Sequence, residues 1–327
     1  MVHVALSEIK STAARALEVH GASVAVAASV ASAICAAEEV GNRACGLINL
    51  DAHCRQLASG RIDGQVKPVV RRPRPGVVRV DAGLGFAHPA FDAGLGPTVA
   101  AAGANGIASL SIDHAQTCAP LGYFTDQLTE AGMIAIGSAN TEARVAPLLG
   151  SRPMLGTNPI AISAPDGRGG VAFRYDGSTS AVTWDRIEAA AEAGEPIPPG
   201  WAVDTDGLPT TDPDVALKGA LVPAGQLGYG IGLLVEVLAA GLTGSRISMD
   251  VPDRDSIYGP PHDLGQFFMV IDPAAFAADG VHRLLARLAL VVEDQPGATL
   301  PGAVDARRTI IEVDRVLWTR IQGLAER

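Results

Sequence analysis

Charge is scarce in this chain. Only 18% of its 327 residues are Asp, Glu, Lys or Arg, against 48% hydrophobic. That balance excludes a disordered or coiled-coil class and leaves enough apolar material for one large or two modest domains with a real core. Positive charge is scarcer still: the formal net charge is −10, which argues against a nucleic-acid partner, since phosphates require basic clusters. The one dense basic run, Val70-Arg71-Arg72-Pro73-Arg74-Pro75, reads as a solvated connector. The four cysteines, Cys35, Cys45, Cys54 and Cys118, form no CxxC pair and have no histidine at metal-ligand spacing. Reduced thiols in a cytoplasm are the expectation, with no metal. Apolar runs of spanning length are missing, because residues 22–37 and 231–242 fall short of the roughly 20 that a bilayer requires. Both read as buried or dimer-facing helices. The opening Met1-Val2-His3-Val4-Ala5 lacks the basic-then-apolar pattern of a signal peptide. There is also no internal repeat and no GxGxxG after a strand, so an ordinary Rossmann domain is unsupported.

Three helices are expected in residues 3–59: 6–19, stopping at Gly21; 24–40, capped by Ser23; and 47–58, ending at Gly60. Between the last two, Gly41 to Gly46 is a sharp break that presents Cys45 either to a cleft or, as is commoner for cysteine, to the core. Prolines and valines make residues 65–80 an extended linker. Helices and strands then alternate: helix 91–102, strand 107–112, helix 120–131, strand 133–137. Two strands follow with no helix between them, which points to a mixed α/β sheet. Further on, the pattern gives helices over 184–193 and 229–242, a proline-bearing loop over 246–263, a strand at 266–271, a helix over 273–287 and a mainly helical end from 310 to 327. The organisation expected is a helical domain from residues 1–70 plus 301–327 and a mixed α/β domain over 71–300.

The stretch on which chemistry gathers is Gly156-Thr157-Asn158-Pro159, which opens one strand, together with Asp176-Gly177-Ser178-Thr179-Ser180, which closes the next. Glycine permits close approach to the backbone, Thr and Asn offer hydrogen-bonding groups, and Asp176 adds a carboxylate. The bland alternative is a hairpin with ordinary turn residues.

With these pieces in order, the chain resembles the type-2 malate/L-lactate dehydrogenase family. The resemblance rests on Leu155-Gly156-Thr157-Asn158-Pro159-Ile160-Ala161, Asp176 with Thr179-Ser180, the run from Glu195 through Pro198-Pro199-Gly200-Trp201 to Asp204, Thr210-Thr211-Asp212-Pro213, Leu242-Thr243-Gly244 and Gly265-Gln266-Phe267-Phe268. It implies a non-Rossmann nicotinamide-binding domain with a mixed sheet, a homodimer with its active site near the subunit interface, and NADPH or NADH as cofactor, NADPH slightly preferred. The family includes hydroxy-acid dehydrogenases and reductases of cyclic ketimines. Carried over residue by residue, the resemblance makes Gly156, Thr157, Asn158, Pro159, Thr179 and Ser180 cofactor-binding candidates and Asp176 a catalytic one.

The departures from the family pattern point the same way. Where the family has Ser-His-Gly followed by an Arg three residues after the His, this chain has Ala44-Cys45-Gly46 and Ile48-Asn49. Counting back from Gly132 puts Thr117 at the position of a second family histidine; His114 is three residues early. The family's Gly-Gly-His-Lys-Gly-Tyr-Gly is shortened to Gly225-Gln226-Leu227-Gly228-Tyr229-Gly230. Reducing a ketone creates an alkoxide that needs a positioned acid; Cys45 and Thr117 are poor ones, and His114 is a displaced candidate. A protonated cyclic imine needs instead an anion beside it, which Asp176 supplies. The expected function is therefore NAD(P)H-dependent reduction of a cyclic imine. A 2-hydroxy-acid dehydrogenase using His114 or Cys45, or a divergent member without redox activity, is the alternative. Arg43, Arg144 and Arg174 are the candidates to replace the missing carboxylate-binding arginine.

Overall fold

The computed structural model describes residues 1–116, 120–253, 256–277, 279–302 and 308–326. It begins with a strand, β1 (Val2–Ala5), and three helices, α1 (Leu6–Val19), α2 (Val24–Glu39) and α3 (Leu50–Ala58). Ile9, Ala13, Ala16 and Leu17 recur at helical spacing and are fully buried on one face of α1. Ser23 caps α2 by accepting from the Val26 amide. The chain then enters the main sheet directly, because residues expected to be a linker form the hairpin β2 (Val69–Arg74) and β3 (Val77–Asp81). Their valines were read correctly as extended, but the partner strand could not be seen locally. Strand β2 lies at the edge, which is where Pro73 is tolerated.

Next come α4 (Ala87–Asn105), β4 (Ile107–Ala115), α5 (Leu121–Glu130), β5 (Ile134–Ala139) and the hairpin β6 (Ile160–Pro165) and β7 (Val171–Gly177). A smaller unit follows: α6 (Trp184–Ala193), β8 (Ala202–Val203), β9 (Pro209–Thr210), α7 (Pro213–Ala216) and β10 (Ala220–Leu221). Helix α8 (Gly225–Val235) leads to β11 (Leu264–Ile271), α9 (Gly280–Glu293), β12 (Ile310–Val313) and α10 (Arg315–Ala325). The start of the final segment is thus strand, pairing antiparallel with β1, and only its second part is helix. Among the described residues no helix is long and apolar enough to cross a membrane.

The main sheet runs β2-β3-β4-β11-β5-β6-β7, with β3 and β4 parallel and every other pair antiparallel, the mixed sheet expected from the alternation. Helices α4 and α5 cover one face, where Phe91 meets Phe124 and Phe268 edge to face. Gly137 makes this possible, since a Cβ there would stand 2.9 Å from the Phe268 ring. A second core joins the N-terminal helices to β12 and α10 through Ile311, Val313, Trp318 and Ile321.

His88, at the start of α4, is buried beside Phe124 and has no hydrogen-bond partner for either ring nitrogen among the described residues. Burial, with a smaller contribution from His53, pushes its pKa down from 6.5 to about 3. Between those values the unfolded chain binds a proton that the folded chain refuses, so His88 leaves stability intact above pH 6.5 and erodes it as the pH falls. The loss reaches at most about 1.4 kcal/mol per pH unit. Urea unfolding at pH 6.5 and 5 should show His88→Leu losing less stability than the wild type; parallel losses would contradict this burial-driven account.

Candidate active site

Strands β6 and β7 hold the candidate residues at one end of their hairpin. At the other end the Gly-rich stretch after Asp166 is only a turn, closed by the Arg168 and Gly170 amides donating to Asp166 at 2.7 and 2.9 Å. The chain enters β6 through Gly156 to Pro159 and leaves β7 through Asp176 to Ser180, with Ala161 opposite Asp176 and Ile160 opposite Gly177.

Asn158 ties these segments together. Its φ is +35°, in the left-handed region that Asn tolerates better than most residues, and it is wholly buried. The amide nitrogen donates to the Gly232 carbonyl at 3.1 Å and to the Glu236 carboxylate at 2.8 Å, while its oxygen accepts from the Thr141 amide at 3.2 Å. Thr179 donates to the carbonyls of Thr157 and Asn158, and Ser178 also donates to Thr157. A Cβ on Gly156 would lie 2.2 Å from the Thr141 hydroxyl, so glycine is required. The hydroxyls of Ser178 and Ser180 touch each other. The Asn158 amide and Thr179 hydroxyl are thus engaged inside the protein, Thr157 shares its hydroxyl with Thr141, and Pro159 stands partly exposed at the start of β6.

Asp176 lies beside the first turn of α5 and accepts from the Gly122 amide at 2.7 Å. The residue is exposed at the sheet edge, yet its carboxylate is closely surrounded by protein. Burial pushes its pKa above the usual carboxylate range; the Gly122 amide and Arg174 oppose that, and Asp126 adds to it. Its second oxygen makes no hydrogen bond among the described residues. Arg174 is committed elsewhere, in a two-point ion pair with Asp126. Arg144 pairs with Glu142 and stacks on Trp184, and Arg43 donates to the Glu312 carbonyl, so all three candidate arginines have structural partners.

Of the other catalytic candidates, His114 is not gathered with Asp176. His114, at φ +52°, bonds Asp81 at 3.1 Å on the β3 side of β4. It is four strand spacings from β7, about 19 Å. Cys45 sits half-buried in the short turn between α2 and α3. Thr117 lies outside the described residues, between β4 and α5.

Sequence reasoning gave no role to Gly122 and Asp126, one helical turn apart on α5, nor to Glu236 under Asn158. Only pairing across the fold identifies them. The same holds for the start of α8, where the Ala224 amide donates to the Thr179 carbonyl and Ser180 bridges Pro223. The first intrahelical bond there is made by Gly228, so the Gln226 and Leu227 amides precede the ladder. Gly225, at φ +65°, faces open space. Bare first-turn amides, small residues and neighbouring hydroxyls suit a dinucleotide's phosphates.

The main sheet is mixed, and the GTNP turn faces the Asp-x-Ser-Thr-Ser strand end. The chain belongs to the malate/L-lactate dehydrogenase family, whose profile matches residues 4–315. It is 36% identical over 339 residues to a delta(1)-pyrroline-2-carboxylate reductase of Ancylobacter novellus, covering all of this chain and 98% of that one. It is 35% identical over 302 residues to a (2R)-3-sulfolactate dehydrogenase (NADP(+)) of Chromohalobacter salexigens, covering 91% and 89%. The crystal structure of delta1-piperideine-2-carboxylate reductase from Pseudomonas syringae superposes with a TM-score of 0.92 at 32% identity, over 99% of this chain and 100% of that one.

Replacing Asn158 with Ala would remove its bonds to Glu236 and Gly232, take away the acceptor of the Thr141 amide and force a left-handed φ on alanine. Urea unfolding should show a loss of about 3 kcal/mol; a loss under about 1 kcal/mol would remove Asn158 from this role.

Proposed function

We propose that this protein uses NAD(P)H to reduce the C=N bond of a cyclic imino acid of the pyrroline-2-carboxylate or piperideine-2-carboxylate kind, with Asp176 holding the iminium. One observation carries the reading: a carboxylate anchored by one oxygen on the Gly122 amide and open to a ligand through the other. Relatives named for pyrroline-2-carboxylate and piperideine-2-carboxylate reduction, aligned over nearly the whole chain, support it.

A bound reduced nicotinamide would supply the hydride. The protein's part is electrostatic. A protonated imine carries one positive charge, and hydride addition to carbon leaves a neutral amine that keeps the proton on nitrogen. No alkoxide forms and no acid must deliver a proton in that step. Ionised Asp176 offsets the iminium charge, and the α5 first turn fixes the carboxylate in place. Around it, the Gly156 to Pro159 turn and Thr179-Ser180 frame the cofactor, with the α8 start taking the phosphates. NADPH is preferred, in keeping with the NADP(+) in the name of the sulfolactate relative.

The active form is a homodimer. Leu227, Leu233, Leu234, Val237 and Leu242 stand exposed along α8 and the wider π-helical turn after it, an apolar face suited to a second copy of the chain.

Purified protein should reduce pyrroline-2-carboxylate and piperideine-2-carboxylate with NADPH far better than 2-keto acids. Asp176→Asn should cost about 10² to 10³ in kcat/KM. Efficient keto-acid reduction with no turnover of either imine would overturn the proposal in favour of a hydroxy-acid dehydrogenase, and a monomer at micromolar concentration in sedimentation would overturn the dimer.

A further inference from the structure

Two residues apart on β7, Arg174 and Asp176 project from the same face toward α5. A Cβ built on Gly122 would lie 3.1 Å from the Asp176 carboxylate and 3.3 Å from the Arg174 side chain. The guanidinium is therefore within reach of Asp176, and pairing with it would neutralise the anion that a substrate cation needs. It is held instead by Asp126, with Nη2 to Oδ2 at 2.6 Å and Nε to Oδ1 at 3.1 Å, the two-point geometry that arginine and carboxylate favour. Asp126 is braced in turn: the Ser163 hydroxyl donates to it at 2.9 Å, and Thr125 shares a 2.8 Å hydrogen bond with Ser163. On the outer side the Arg174 amide donates to the Pro301 carbonyl at 3.1 Å, and a Cβ on Gly302 would lie 2.5 Å from the Arg174 Cβ. The arginine stem is thus walled in.

We propose that the Asp126–Arg174 ion pair, braced by Ser163 and Thr125, positions Asp176 for a cationic substrate by keeping the guanidinium off it. This rests on Asp176 being the group that meets the iminium. Among the described residues, the charged groups acting on Asp176 are Arg174 from its own strand and Asp126 from α5, with Glu130 one turn beyond acting on Asp126. Strand β6 adds no ionisable group, and neither do Pro301 and Gly302.

Because the ionised form of Asp176 is the working one, kcat/KM for the imine falls as the pH drops through its titration, and the two partners move that limb in opposite directions. Asp126→Asn removes a like charge and releases the guanidinium toward Asp176, so the acid limb moves to lower pH while KM for the imine rises about tenfold, with kcat less affected. Arg174→Gln removes the cation and leaves Asp126 charged, so the limb moves to higher pH. Ser163→Ala, a milder change that leaves both charges in place, should shift in the Asp126→Asn direction by less. Far-UV circular dichroism and urea unfolding establish that each variant is folded. Shifts of the same sign, or no shift in any folded variant, would overturn the positioning role while Asp176→Asn remained damaging. Full activity of Asp176→Asn would overturn the reading of Asp176 itself and this proposal with it.

Discussion

Asn158 is the point on which the site's geometry depends. One side chain, wholly buried at a left-handed φ, joins the turn that opens β6, the Thr141 backbone and the helical segment carrying Gly232 and Glu236. The carbonyls of Thr157 and Asn158 then accept from Thr179, which fixes the chain leaving β7. Asparagine suits the position because it tolerates the left-handed region and brings both a donor and an acceptor. Glu236 sits where α8 widens into a π-helical turn, a local irregularity often found at functional sites. The apolar helix face and the turn that opens β6 are consequently parts of one hydrogen-bonded unit.

From that frame the electrostatics follow. Asp176 takes its anchor from the α5 first turn, and its neighbours oppose one another: burial and Asp126 disfavour its charge, while Gly122 and Arg174 favour it. Such a carboxylate suits a substrate that arrives positively charged and leaves the hydride step neutral. It is poorly suited to a ketone, which requires a donor at the developing oxyanion, and His114 is turned to Asp81 on the far side of the sheet.

Much of this was legible in the sequence. Periodicity and capping placed α1, α2, α5, α6 and the β6–β7 pair, because those signals are local, and the order of the GTNP, Asp-x-x-Thr-Ser and Pro-Pro-Gly-Trp segments pointed to the family. What was missed depends on partners distant in the chain. Val2 to Ala5 is a strand only because Ile310 to Val313 lies beside it, and the 65–80 stretch contributes β2 and β3 only because β4 comes alongside. Asp126 carries no local mark of its pairing with Arg174, 48 residues away. The glycines after Asp166 close the β6–β7 hairpin.

The central claim is that Asp176 faces the reacting nitrogen, and the most direct measurement is a crystal structure of the protein with oxidised nicotinamide cofactor and a cyclic amino-acid product, proline or pipecolate. The account predicts the ring nitrogen within about 3 Å of an Asp176 carboxylate oxygen, with Arg174 still on Asp126. A product nitrogen directed at Cys45 or at the segment between β4 and α5, with Asp176 out of contact, would contradict it.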